Sequence, residues 1–350
     1  MIQGCDKIPT DQYREYLLSE ANKKWQRIVD LTEGQAMVVT DLHGDWDAYR
    51  QYRDTFFQLR ELGQADILIL DGDLIHASAP ASQDKSLEII LDIIELKKEL
   101  GDSLVCVLGN HELPHIYSIT LQKGDELFTP RFEFAMGEHR EKIVTFFDSL
   151  PFYVRTPGGV SVCHAGASTA LGETNGIERL FNFSHQEVLT RTRAQITQEE
   201  RPSLITAMRK MHGRTYNEMA RKWFAVTGLD DPRYDDFLVG TLAMSDEDFE
   251  LLWPAMFSRN EKEYGSNSYQ VLLRTMLKAL SDGYTQQSVL VTGHIDCNGG
   301  YKLVNRQQLR VASAKHASPR EAGLYLLFNV RERFETATDL VPNLRSVFHN

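Results

Sequence analysis

Seven residues stand out because their side chains bind metals or move protons and because each closely follows a short apolar run. They are Asp41 and His43 in DLHG, Asp73 in GD, Asn110 and His111 in GNHE, His164 in HAG and His294 in GH. Carboxylate, amide and imidazole without thiolate form a donor set that suits Mn, Fe or Zn rather than a soft metal. One Asp or Gly after a strand is ordinary turn and cap chemistry. Local turn chemistry gives no reason for histidine to be favoured at five strand ends, so the joint reading is a metal site.

The elements that must position these residues follow a repeated grammar of apolar run, polar loop and amphipathic helix. Ala36 to Thr40 leads into the first loop, Ala65 to Leu70 into the second and Ser103 to Gly109 into the third. Helices are expected at Trp46 to Leu62 and Lys85 to Leu100. Asp73 follows Asp41 by 32 residues and Asn110 follows Asp73 by 37, about the ~30 or more of one βαβ unit. The loops therefore line up side by side at the carboxyl ends of parallel strands, where open α/β sheets bind ligands. Further on, Phe132 to Leu150 reads as a helix and residues 151–166 as a hairpin turned by Pro157-Gly158-Gly159. Ser268 to Ser281 reads as a helix, and KLVNRQQLRVASA and AGLYLLFNV as closing strands. Thr10 to Asp30 reads as a charged outer helix and the last ~20 residues as a loose tail.

With 350 residues, of which 42% are hydrophobic and 25% charged, the chain can bury a large core, which excludes a disordered or small disulfide-built protein. Cys5, Cys106, Cys163 and Cys297 include no CxxC pair, and there is neither an apolar leader nor a membrane-length apolar run. A cytoplasmic protein without membrane contact is expected. A net charge of −11 disfavours nonspecific nucleic-acid binding.

The five motifs, in this order, resemble the calcineurin-like metallophosphoesterases. HG after the first residues, the full GNHE, LPFYV…VCHAGAS, and LLW at Leu251 to Trp253 are similar to the phosphoprotein phosphatase branch, protein serine/threonine phosphatases. The resemblance implies an α/β fold, a central β-sandwich flanked by helices in four layers, here with a mostly helical inserted cap at about 172–253. It implies a catalytic domain over 34–330, between an N-terminal helical segment (1–33) and a C-terminal tail (331–350). It also implies two divalent or trivalent ions, Mn, Fe or Zn. Asp41 and His43 would hold the first ion, Asn110, His164 and His294 the second, and Asp73 both. A metal-bound hydroxide would attack phosphorus directly, and His111 would protonate the leaving oxygen.

Departures from the branch bear on substrate. The Asp-Arg-Gly that continues its second motif, where the Asp orients the catalytic histidine and the Arg grips phosphate, is His76-Ala77-Ser78 here. His76 could orient His111 or meet phosphate itself, and Arg259 in MFSRNEKEYG is the candidate phosphate-binding arginine. Many superfamily members carry a second metal-binding histidine two residues after the last motif's first; this chain has Asp296, for which a hydrogen-bonding or capping role is expected. Asp45 and Asp47 suit a helix N-terminus, and Asp71 a supporting role. Between Gln186 and Lys222, eight basic residues face four acidic ones, a charge that could attract an anionic substrate, while Tyr216, Trp223 and Phe224 could stack a base. The expected function is hydrolysis of phosphate monoesters in the manner of a phosphoprotein phosphatase. The alternatives are a nucleotide or dinucleoside polyphosphate hydrolase or phosphodiesterase and a phospho-binding module without turnover.

Overall fold

The computed structural model describes residues 25–348 apart from 79, 124–125, 213–217, 219–220, 223, 225 and 232. In chain order the first elements are β1 (Ile28–Asp30), β2 (Gln35–Thr40), α1 (Trp46–Glu61), β3 (Ile67–Asp71), α2 (Ser86–Leu100), β4 (Leu104–Val107) and α3 (Leu113–Tyr117). A short hairpin, β5 (Gln122–Lys123) and β6 (Glu126–Leu127), precedes α4 (Phe128–Met136), α5 (Arg140–Asp148), β7 (Tyr153–Arg155) and β8 (Val160–Val162). The helical insertion holds α6 (Gly176–Phe181), α7 (His185–Arg193), α8 (Arg201–His212), α9 (Tyr234–Ala243) and α10 (Glu247–Phe257). Then come α11 (Glu261–Tyr264), α12 (Ser266–Leu280), β9 (Val289–Thr292), β10 (Cys297–Asn298), β11 (Tyr301–Asn305), β12 (Gln308–Val311), β13 (Ala317–Ser318), β14 (Tyr325–Asn329), α13 (Ala337–Leu340) and β15 (Leu344–Arg345).

Two sheets form the centre. One has the order β15-β14-β2-β3-β4, with β2, β3 and β4 parallel; the other has the order β1-β7-β8-β9-β12-β11, with β8, β9 and β12 parallel. The period-two alternation of a strand decides which side chain goes where. Ala36, Val38, Ile67, Ile69, Val105 and Val107 share a core with Val160, Val162, Val289, Val291, Leu309 and Val311 of the other sheet. Met37, Val39, Leu68, Leu70, Leu104 and Cys106 join the larger core with Tyr52 and Phe56 of α1 and Ile89, Ile90, Ile93 and Ile94 of α2. The alternation thus gives each sheet one face toward its partner sheet and one toward helices.

Local signals place the helices that follow the motif strands. Asp45 caps α1 by accepting a hydrogen bond from the Ala48 N–H at 3.0 Å, while Asp47 lies in the first turn. The expected single helix over Phe132 to Leu150 is two helices, α4 and α5, with Gly137 at φ +47° between them. The helical insertion is expected and found; Ile205, Met208, Phe224, Val226, Tyr234, Phe237 and Leu238 form a small core of its own, and α6 and α10 reach the main one. Phe224 is therefore packing rather than a stacking surface, and Tyr216 and Trp223 lie outside the described side chains.

The two chain ends depart from expectation. Most of the helix expected over Thr10 to Asp30 lies outside the described residues, but its end is β1, which pairs in parallel with β7. Tertiary contacts override local pattern there: Arg27 donates to the carbonyls of Phe183, Asp148 and Leu150, and Arg155 grips Asp30 with two bonds of 2.7 Å. The expected loose tail is packed, with Phe334, Ala337, Leu340 and Val347 buried and β15 pairing antiparallel with β14. Among the described residues, no helix is long and apolar enough to cross a membrane.

Phe328 of β14 is 2% exposed within the core between the sheets. Phe328→Ala is expected to destabilise the fold by about 3–5 kcal/mol, read as a lower urea midpoint with an unchanged slope.

Candidate metal centre

The carboxyl ends of β2, β3 and β4 meet those of β8 and β9, so the five motifs come from both sheets. Eight non-glycine residues among those described have positive φ, and five of them are Asp41 (45°), His43 (46°), Asp73 (50°), His76 (71°) and His294 (68°). Each such residue costs of order 1–3 kcal/mol and persists where its surroundings over-determine it. The surroundings are visible here. The backbone N–H of His294 donates to Asp41 Oδ1 and Oδ2 at 2.9 and 3.0 Å, and that of His111 to Asp73 Oδ1 at 2.9 Å. Glu112, fully buried, accepts from the N–H groups of Asp73 (3.0 Å), Leu74 (2.8 Å) and Gly109 (3.1 Å), tying the β3 and β4 loops together.

Second partners orient the imidazoles. His43 Nδ1 lies 3.1 Å from the Ile75 carbonyl and His164 Nδ1 2.8 Å from the Asp71 carbonyl. A carbonyl only accepts, so both Nδ1 atoms carry hydrogen and, in neutral rings, both Nε2 lone pairs face the centre. His164 Nε2 there lies 2.9 Å from Asn110 Oδ1 and 3.3 Å from Asp73 Oδ2, while His43 Nε2 lies 3.6 Å from Asp73 Oδ2. Three acceptors converge at His164, an arrangement that a cation satisfies.

Electrostatics agrees with that reading. Burial alone would raise the Asp73 carboxyl, but His164 and His111 hold it well below the usual range. Burial likewise raises Asp41, yet His316 and His164 bring it to about 2. Burial pushes His43 down to about 4 and His294 to about 3, keeping them neutral, whereas the neighbouring Asp73 and Asp41 carboxylates overcome burial at His164, raising it well above the usual imidazole value, and Asp41 does the same at His316. Asp71, buried beneath the cluster, is pushed well up by desolvation. His43 Nε2 and His294 Nδ1 are buried and make no hydrogen bond. Three groups of side chains could each hold an ion, their ligand atoms within 4.8 Å of one another: Asp41, His43 and His316; His43, Asp73 and His111; Asp73, His164 and His294. Oxygen and imidazole donors with two orphaned ring nitrogens fit hard-to-borderline divalent ions, whose positive charge would take the place of the protons that the carboxylates hold on His164 and His316.

His316 is the residue that sequence reasoning missed. It stands between β12 and β13, with Nδ1 3.0 Å from Asp41 Oδ1, and its ring lies against His43 with centroids 4.9 Å apart. Asp296 remains outside, its side chain 76% exposed and 3.7 Å from His316 Nε2. No motif precedes His316; the pairing of β9 with β12 and of β10 with β13, and the bond from the Cys297 N–H to the His316 carbonyl at 2.8 Å, bring it to this edge.

The remaining candidates separate. His76 is 2% exposed, and both its ring nitrogens are engaged, by His111 and His115, so neither nitrogen is free for phosphate. Arg259 is exposed and makes no ion pair among the described residues; Glu261 is taken by Arg310 and Lys302, and Glu263 accepts from the Arg259 backbone N–H. The next residue, Asn260, donates to the Ala165 carbonyl at 2.8 Å, which anchors Arg259 beside the His164 loop. Tyr264 is partly buried against the core. The basic stretch is partly neutralised: Arg191 pairs with Asp246 and Asp248, Arg193 with Asp236 and Arg201 with Asp235. Next to His43, a cleft of about 600 Å³ is lined by Trp46, Gln83, Lys315 and Arg320 among others. Arg320 pairs with Asp45, whereas Lys315 is exposed.

Residues 35–240 match the calcineurin-like phosphoesterase family, and the chain belongs to it. A symmetrical bis(5'-nucleosyl)-tetraphosphatase from Vibrio parahaemolyticus is 31% identical over 134 residues, 37% of this chain and 44% of that protein. The match thus spans under half the length of that curated relative. A serine/threonine phosphatase structure from Saccharomyces cerevisiae, described as similar to human phosphatase PP5, is 12% identical, with 91% of this chain and 82% of that one covered and a TM-score of 0.47. A cold-active protein-tyrosine phosphatase from a psychrophilic Shewanella species is 14% identical, with 86% and 76% covered and a TM-score of 0.39.

A Cβ on Gly109 would lie 2.2 Å from the Asp73 nitrogen and 2.6 Å from Glu112 Oε2. Gly109→Ala is therefore expected to displace Asp73 and weaken Mn binding at least about tenfold, as measured by calorimetric titration.

Proposed function

We propose that the chain hydrolyses phosphate monoesters at a two-metal site, in the manner of a phosphoprotein phosphatase. Asp41, His43 and His316 would hold one ion, Asn110, His164 and His294 the other, and Asp73 both, with Mn, Fe or Zn matching the donors. One observation carries the reading: acceptors from both sheets converge where buried nitrogens lack partners. Such ions, when bound, supply Lewis acidity toward phosphoryl oxygens and lower the pKa of water.

The protein's own groups do the rest. Arg259 and Lys315, exposed cations beside the His164 and Asp41 loops, receive the anion. His111, with Nε2 3.9 Å from Asp73 Oδ2 and its side chain 13% exposed, delivers a proton to the leaving oxygen. The placement of His111 favours turnover over binding alone. A second reading, hydrolysis of nucleotides or dinucleoside polyphosphates, is favoured by the Trp46 and Lys315 cleft, which offers an aromatic face and a cation, and by the Vibrio similarity. Cys106, Cys163 and Cys297, buried and unpaired, fit a reducing compartment such as the cytoplasm. The catalytic unit we assign runs over 34–330 with the tail packed onto it.

Protein supplied with Mn is expected to hydrolyse an aryl phosphate, with Asp73→Asn and His111→Ala each reducing kcat about 10²–10⁴-fold. Full activity in Asp73→Asn would sink the reading. A panel of phosphopeptides, mononucleotides and dinucleoside polyphosphates separates the two substrate classes by kcat/KM. His316→Ala is expected to lower the affinity for one of two Mn ions while sparing the other, as seen in two-step calorimetric titrations; two unchanged steps would remove His316 from the set.

A further inference from the structure

Behind His111 runs a buried line of polar side chains that the reaction as described does not use. His111 Nδ1 lies 2.9 Å from His76 Nδ1, His76 Nε2 lies 2.8 Å from His115 Nε2, and His115 Nδ1 lies 2.8 Å from Glu133 Oε1. The other Glu133 oxygen accepts from Arg140 Nε at 2.8 Å and Arg233 Nη2 at 3.3 Å. His76, His115 and Glu133 are 2%, 0% and 2% exposed. Phe128 stacks on His76 at 5.6 Å, and Phe132 meets His115 edge-on at 5.0 Å, so the rings are clamped.

With His115 neutral, hydrogen-bond bookkeeping fixes every proton along the line. Glu133, held by two arginines, is an acceptor, so His115 Nδ1 carries hydrogen. A neutral His115 then presents a lone pair at Nε2, so His76 must donate from Nε2 and accept at Nδ1. His111 must therefore donate from Nδ1, which leaves Nε2 facing Asp73 and the metal centre. We propose that His76, His115 and Glu133 are positioning residues that lock the His111 ring and its Nδ1–H tautomer, making Nε2 the one atom through which it exchanges a proton. A proton that passes through His111 Nε2 to the leaving oxygen breaks the N–H bond there, forms the O–H bond and leaves the ring in the Nδ1–H form the line favours. No other hydrogen bond has to change. The inference rests on the reading of His111 as the proton donor.

The test uses the full-length zinc-loaded protein with ¹⁵N-labelled histidine. NMR is expected to find hydrogen on Nδ1 of His111, Nε2 of His76 and Nδ1 of His115; an Nε2–H tautomer at His111 would overturn the proposal without any variant. In Glu133→Gln and His115→Gln, kcat is expected to fall about 10- to 100-fold with KM and metal content unchanged. If His111→Ala keeps wild-type turnover, the reading of His111 itself fails. If His111→Ala is inactive while folded Glu133→Gln and His115→Gln both keep wild-type kcat, the positioning line alone is refuted.

Discussion

The structure is organised around the cost of burying like charges together. Asp41 and Asp73 are 0% and 1% exposed at neighbouring strand ends, and Glu112 lies fully buried directly behind them. Carboxylates in a dry interior persist only when backbone donors, imidazoles or cations meet them. Here the donors are main-chain N–H groups of neighbouring loops: Asp41 holds the His294 loop, Asp73 the His111 loop, and Glu112 the start of the β3 loop. Each carboxylate that turns one edge toward the centre uses its remaining capacity to fasten another segment. The left-handed backbone at Asp41, His43, Asp73 and His294 is sustained by that network, and Gly109 is a glycine because the loops approach too closely there for a side chain.

The same constraint alters the meaning of the net charge. A value of −11 argues against nonspecific polyanion binding, but it counts buried aspartates as though they faced solvent. Two divalent ions would bring the chain toward −7, with their charge concentrated at the edge where Arg259 and Lys315 are exposed. The basic stretch in the insertion, which alone suggested attraction of an anion, is instead partly consumed by Asp235, Asp236, Asp246 and Asp248 of the neighbouring helices. Local charge counts mislead where helices pack, because the compensating acids come from elsewhere in the chain.

The sequence by itself determined the strands that carry the motifs, the two motif-linked helices, the helical insertion and the motif residues. Those features are legible because they are local: apolar periodicity marks β2, β3, β4 and α2, and ligand-type residues follow strand ends with regular spacing. Only the tertiary structure decided that the motifs are shared between two sheets, that Ile28 to Asp30 is a strand, and that His316 rather than Asp296 faces Asp41. It also decided the surroundings of His76, which the sequence leaves free either to orient His111 or to meet phosphate, by closing His111, His115 and, beyond it, Glu133 of another helix on that side chain. The physical reason is common to all of these. Each depends on contacts between residues distant in sequence, and pairing geometry and the demand that buried polar atoms find partners leave no local trace.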